Sequence, residues 1–500
     1  MGGSAERTLA LYRPSRKAPM HPFSRRRPWR AAAGLAAAVA LLLGSSSAAA
    51  NVTLTTIGSD PFANSTSQHK TQVEPDTFSY GTTIVSAFQT GRFFDGGASD
   101  ACFATSTNSG GSWTQGCLPG VTKFNGGGIY DRVSDAAVAY DARHNVWMIS
   151  TLALTDTGGV VGKAVLTSLS TDGGLTWPTV VTTRLATGSA NLDKNWIVCD
   201  NTSTSAFYGN CYTEYDDNGA SNRIHMSVSS NGGTSWTDHT LTQTGLGGQP
   251  VVRPNGTVMV PYESNSGQIR SFRSTNGGST WGSSVTISTA QVHTTAGGLR
   301  TSPLPSAEID AAGTVYVVWQ DCRFQSGCAA NDVVLSKSTS ETTWSTVTRI
   351  TSDGGDHFIP GIAVNPATSG GSAALAVAYY RYATPSCSAS TCQLTVGYTS
   401  SANGGTSWSA PTQLDGPFGL SLIADTSQGR MVGDYISVSI SGGLAWPVFM
   451  HAQTPSGAAF DEHAVTPSTG LPVTGGAIAA VDGPVQVTGG HNLPVNGHKH

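Results

Sequence analysis

Residues 170–177, STDGGLTW, constrain this 500-residue chain more than any other stretch. They read Ser-x-Asp-x-Gly-x-Thr-Trp. The same grammar returns as STNSGGSW (106–113), SSNGGTSW (229–236), STNGGSTW (274–281) and SANGGTSW (401–408). A worn copy, KSTSETTW (337–344), keeps the Trp but has lost the Asp/Asn and the Gly pair. The glycines supply the positive φ of a tight hairpin. The Asp or Asn folds its side chain onto nearby backbone N–H groups. The Trp packs a large apolar body between strands. Each copy therefore predicts a β-hairpin turn stapled by its own side chains, and their recurrence predicts a repeat architecture.

A second element recurs between these turns: a short strand with a polar start, a turn, then a very apolar strand. Its copies open near Val73, Arg132, Asn191, Gly247, Leu304, Phe358 and Arg430. The spacing suits one four-stranded sheet per repeat. The composition agrees, with 60 Gly, 11 Trp and only 12% charged residues. The seven openings predict an all-β propeller of seven four-stranded antiparallel blades. After the seventh opening only one further strand is expected, at 459–466. A strand at 51–57 supplies the fourth, joining the chain ends and removing exposed edges.

The octapeptide resembles the Asp-box (BNR) repeat of the sialidase superfamily. The resemblance covers most of the chain beyond residue 50. It implies a β-propeller, and six blades rather than seven. It also implies a secreted exo-α-sialidase-like glycosidase acting on glycoconjugates that carry sialic acid or a related sugar acid. In that family three arginines hold the sugar carboxylate, a Tyr activated by a Glu attacks the anomeric carbon, and an Asp serves as acid/base. A phenol avoids the repulsion that a carboxylate nucleophile would meet there, an exception to the paired-carboxylate rule.

Carried over residue by residue, Arg92 matches the first arginine, although the family's Phe/Tyr-Arg-Ile-Pro motif is replaced by Gly91-Arg92-Phe93-Phe94. Asp131 or Asp135 matches the acid/base. Glu308 and Arg323, one hairpin apart, match the Glu and the second arginine. Arg430 and Tyr435 match the third arginine and the nucleophile, closer in sequence than the family's pair. Arg132, Arg300, Asp193 and Lys194 open or flank the same polar segments and are further substrate-binding candidates. Other polar residues at these openings are Glu74, Asp76, Gln249, Asp356, His357 and Asp434. Plainer roles compete: a turn cap for Glu308, a brace on a cysteine loop for Arg323, an internal ion pair for Asp193 and Lys194, packing for Asp434 and Tyr435. A non-catalytic propeller that binds glycans or proteins, and a hydrolase using the carboxylate pair Asp135 and Glu308, are the alternative functions.

Residues 1–50 read as a signal peptide: arginines, an apolar run at 31–43, then Ala48-Ala49-Ala50 before Asn51. Both the general and the twin-arginine export routes stay open. The apolar run is short for a membrane span, and none is expected in the mature chain. Beyond residue 50 the chain holds 19 basic and 30 acidic side chains, which argues against nucleic acid. A local arginine cluster still lets one cleft attract an anion. The eight cysteines pair as near neighbours, Cys102 with Cys117, Cys199 with Cys211, Cys322 with Cys328 and Cys387 with Cys392. Export makes disulfides the favoured reading, with a zinc site the alternative. No cofactor and no catalytic metal is expected; EYDDNG (214–219) is the best candidate for a structural calcium, without EF-hand spacing. A monomer is expected. Residues 467–500 read as a flexible tail. LPVTG (471–475) matches a wall-sorting pattern but lacks the apolar stretch that should follow, so wall attachment is not expected.

Overall fold

The computed structural model describes residues 52–475 and 487–488. The chain is all-β, and the only helical elements among the described residues are five single 3-10 turns. Strands pair in antiparallel sets of four. The first set is Gln68–Tyr80, Thr83–Arg92, Ala98–Ser106 and Thr114–Cys117. The second is Arg132–Asp141, Val146–Asp156, Val160–Ser170 and Thr179–Leu185. The third is Leu192–Cys199, Cys211–Asp217, Arg223–Ser229 and Thr237–Leu246. The fourth is Val251–Val252, Val258–Ser264, Gln268–Ser274 and Val285–Thr289. The fifth is Ser306–Ile309, Val315–Asp321, Asp332–Ser338 and Thr348–Arg349. The sixth is Asp356–Val364, Leu375–Tyr382, Gln393–Ser401 and Thr412–Gly419.

The last set draws on both ends of the described chain. Ser437–Ser441, Leu444–Ala452 and Glu462–Pro467 pair in order, and Leu54–Thr56 adds to the last of them antiparallel. Its first strand begins at Ser437, later than the expected opening at Arg430. Arg430 belongs instead to a small hairpin, Ala424–Thr426 with Gly429–Met431. The first strand of each set touches the first strand of the next, and that of the last set touches that of the first.

The core lies between neighbouring sets. Val85, Phe103, Val138, Trp147 and Trp177 fill the space between the first and second. Tyr316, Leu335, Ile362, Val377 and Trp408 fill that between the fifth and sixth. The octapeptide turns are part of these layers. In residues 170–177, Ser170 Oγ accepts from Gly174 N at 3.0 Å, and Asp172 Oδ1 accepts from Leu175 N and Thr176 N at 3.1 and 3.0 Å. Gly173 and Gly174 sit at φ 85° and 82°, where a side chain is strained. Trp177 then crosses to the preceding set, edge-on to Phe103 with ring centroids 5.7 Å apart, while Thr105 Oγ1 donates to Gly174 O at 2.5 Å. In the worn copy Ser340 Oγ replaces the missing amide or carboxylate, accepting from Thr343 N at 2.9 Å.

All four expected cysteine pairs are disulfides, which fits an oxidising, extracellular setting. No helix among the described residues is long and apolar enough to cross a membrane. The fold continues past Pro467, where the flexible tail was expected to start. Leu471–Pro472 pairs with Leu444 and Ala445, and Leu471 and Val473 are buried. The LPVTG stretch is therefore packed against the seventh set. The signal-peptide expectation at 1–50 falls outside the described residues, as do residues 476–486 and 489–500 of the expected tail.

Candidate functional site

Three successive first strands carry the same irregularity. The pairing register slips between Val73 and Asp76, between Ser134 and Ala137, and between Asp193 and Trp196. Each slip is a β-bulge, and each bulge holds a non-glycine residue in the left-handed region: Glu74 at φ 55°, Asp135 at 48° and Lys194 at 53°. A fourth bulge, in the sixth set, holds Ile359 at φ 52°. Such residues cost energy, and proteins keep them where a side chain must be re-aimed. Here they bury three ionisable groups, with 1%, 4% and 7% of their surface exposed.

These groups meet others that are distant in the chain. Lys194 Nζ lies 3.4 Å from Asp135 Oδ1 and 3.8 Å above the ring of Tyr435. Trp196 meets that ring edge-on at 5.1 Å. The Tyr435 hydroxyl donates to Ala136 O at 3.1 Å. Arg300 grips Asp434 with two parallel bonds, Nε to Oδ1 at 2.8 Å and Nη2 to Oδ2. Asp434 N donates to Glu74 Oε1 at 3.3 Å. Gln89 Nε2 donates to Glu74 Oε2, and Gln89 Oε1 accepts from Arg92 Nη1 at 2.6 Å. A small cavity of about 10 Å³, lined in part by Lys194, Trp196, Gln249, Asp434 and Tyr435, adjoins this cluster.

Burial and mutual charge set the protonation states. Burial, reinforced by Asp135, pushes the Glu74 carboxyl up to about 8. Burial alone would raise Asp434, but Arg300 and Lys194 overcome it and hold that carboxyl below its usual range. Burial would lower Lys194, but Asp135 and Glu74 overcome it and hold the ammonium charged. Burial lowers Arg92, and burial with Glu74 raises the Tyr435 phenol well above 10. The cluster thus sets a proton-loaded carboxyl and an ionised one beside a neutral phenol, with Arg300 paired to the ionised carboxyl and Arg92 bonded to Gln89.

Of the sequence candidates, Arg92, Asp135, Lys194, Arg300 and Tyr435 come together. Asp193 adjoins them, accepting from Asn218 Nδ2 at 2.9 Å and raised by burial to about 6. The side chains of the others turn to different partners. Glu308 lies in the fifth set, half-buried and raised by burial to about 8, and the charge that acts on it is Asp76. Asp131 pairs with Lys123 at 2.8 Å and is held low by it. Arg132 is held by Asp95 and Asp156 and stacks 4.2 Å from the Phe93 ring. Arg323 bonds Asp321 at 2.8 Å beside the Cys322–Cys328 loop, and Arg430 bonds Ile423 O at 2.9 Å with Asp425 at 3.6 Å. The expected trio Arg92, Arg323 and Arg430 therefore does not converge, because two of its members are committed to carboxylates of their own loops. The pair that converges is Arg92 with Arg300.

Glu74 and Asp434 carry more of the site than the sequence reading assigned them. The signal was present: Glu74, Asp135 and Lys194 stand at matching places in three consecutive openings. Several other polar openings tie neighbouring strands instead. Asp76 Oδ2 accepts from Val138 N at 2.7 Å, and Gln249 Oε1 from Ala307 N at 2.9 Å. His357 is braced by Asp353 at 2.9 Å. In EYDDNG, Asp217 Oδ1 is taken by Asn191 N and Gly219 N. Among the described residues no group of three or more His, Cys, Asp or Glu side chains is arranged to hold a metal.

No family model and no curated protein matches the chain. Among solved structures it is similar to a protein of unknown function from Dyadobacter fermentans DSM 18053, with 13% identity, a TM-score of 0.46 and coverage of 71% of this chain and 99% of that one. It is also similar to Trypanosoma rangeli sialidase, with 11% identity, a TM-score of 0.45 and coverage of 69% and 58%. A third likeness is to the Hadza microbial sialidase Hz136, with 12% identity, a TM-score of 0.43 and coverage of 75% and 74%. The chain spans less than two thirds of the Trypanosoma enzyme.

Proposed function

We propose that the seven four-strand sets are the blades of a closed Asp-box propeller, and that the chain is a secreted glycosidase of sialidase type. Its substrate is a sugar acid at the end of a glycoconjugate. The observation that carries this reading is the convergence of Glu74, Asp135 and Lys194, each forced into a left-handed bulge, on Tyr435 and the Arg92/Arg300 pair. A chain that needed only a packed axis would put apolar residues there, as the sixth set does with Ile359.

In this reading Arg92 and Arg300 meet the sugar carboxylate, Arg300 loosening its grip on Asp434 as the substrate arrives. Tyr435 attacks the anomeric carbon. Glu74, rather than Glu308, takes the phenol proton; a carboxylate of pKa near 8 is better matched to a phenol than an ordinary one. Asp135 draws a proton from the Lys194 ammonium beside it and gives it to the leaving oxygen, and the water that then releases the sugar returns a proton to the pair. Lys194 keeps Asp135 in place and lies against the phenol ring.

The test is hydrolysis of a fluorogenic sialoside by the wild type, Tyr435→Phe and Arg92→Ala. Tyr435→Phe should lower kcat by roughly three orders of magnitude or more with KM little changed. Arg92→Ala should mainly raise KM. Turnover that survives Tyr435→Phe, or no turnover of any sialoside by the folded wild type, sinks the proposal.

A further inference from the structure

A second site lies away from the central cluster, in a groove of about 520 Å³ between the last strand of the third set and the fourth set. Every side chain lining it carries a polar group: six aliphatic hydroxyls, one phenol, two carboxamides and a single charged side chain, Arg270. Thr244 comes from the third set; Ser264, Asn265 and Ser266 come from one hairpin of the fourth. Arg270 is anchored rather than neutralised. Its Nη1 donates to Gln268 Oε1 at 2.8 Å and its Nη2 to Ser284 O at 3.3 Å. No carboxylate pairs with it among the described residues, whereas Arg300 and Lys194 in the central cluster both have one. Two of its five N–H donors are placed by these bonds, which leaves a fixed fork with capacity to spare.

Hydroxyls and amides that donate and accept together match the hydroxyls of a sugar, and a guanidinium with a free edge matches a carboxylate. We propose that this groove binds a uronic-acid-bearing saccharide, independently of the central site and of the chemistry proposed there.

Titration calorimetry on the full chain tests this with trigalacturonate, neutral galactotriose and free acetate as probes. Trigalacturonate should bind, with galactotriose and acetate each at least about tenfold weaker. Arg270→Ala should weaken trigalacturonate at least about tenfold. Ser283→Trp, at an exposed position on the groove wall, should block it without touching the Arg270 anchors, and decides the matter if Arg270→Ala does not fold. Arg92→Ala should leave the titration unchanged. The proposal is overturned if trigalacturonate does not bind, if acetate binds as tightly, if binding survives Ser283→Trp, or if Arg92→Ala abolishes it.

Discussion

Glu74, Asp135 and Lys194 pay for their positions through left-handed backbone, and Asp135 and Lys194 also through burial of charge. Lys194 and Asp135 offset this for each other, so neither tolerates loss of its partner. Lys194→Met should destabilise the fold by about 3–5 kcal/mol, because Asp135 is then buried alone. Pairing it with Asp135→Asn should recover much of that loss in urea unfolding. Glu74 gives a second test at this scale. Its carboxyl titrates near 8 and its proposed role needs the ionised form. The kcat/KM of the wild type should therefore climb as pH rises from 6 toward about 8, and Glu74→Gln should flatten that limb and lower the plateau roughly 10²–10⁴-fold. These roles were only partly legible in the sequence. The polar openings can be read, but a bulge cannot, because it arises from how the first strand slips against the second. Arg323 and Arg430 looked equivalent to Arg92 in sequence. Their nearby acids, Asp321 and Asp425, decided otherwise.

At the scale of elements, the octapeptide turns were the most legible feature, and their hydrogen bonds follow the sequence grammar copy by copy. What the sequence did not carry is their direction. Trp177 packs back onto the preceding set, so the turn seals a seam between sheets as well as closing its own hairpin. This ranks two substitutions. Asp172→Ala loosens an exposed turn and should cost about 1 kcal/mol. Trp177→Ala opens the seam and should cost about 3–5 kcal/mol. Denaturant unfolding measures both, and neither should change kcat/KM, since the turns lie outside the cluster.

At the scale of the whole molecule, the pairing of Leu54–Thr56 with Glu462–Pro467 was foreseeable from a seventh repeat one strand short. The packed stretch 471–473 was not, because its Gly/Pro-rich composition resembles a linker. The folded chain also buries carboxyls that prefer to stay protonated. Glu74 and Glu308 are raised by burial to about 8, and Asp76 and Glu263 to about 7. Between their unfolded values near 4 and these folded values the native state binds more protons than the unfolded chain. Stability is then greatest at the acidic end and falls as pH rises through 7–8. Carboxyls held low, such as Asp353 and Asp434, contribute a constant amount across that window. Calorimetry should find a higher Tm at pH 5.5 than at pH 8, and a Tm that rises with pH over this range would contradict the assignment.

The account turns on Tyr435 acting as a nucleophile. The most direct measurement is peptide mass mapping after incubation with a fluorinated sialosyl donor that slows release of the sugar. The predicted result is a single sugar adduct on the peptide containing Tyr435, absent in Tyr435→Phe. An adduct on any other residue, or steady turnover with Tyr435 unlabelled, would contradict it.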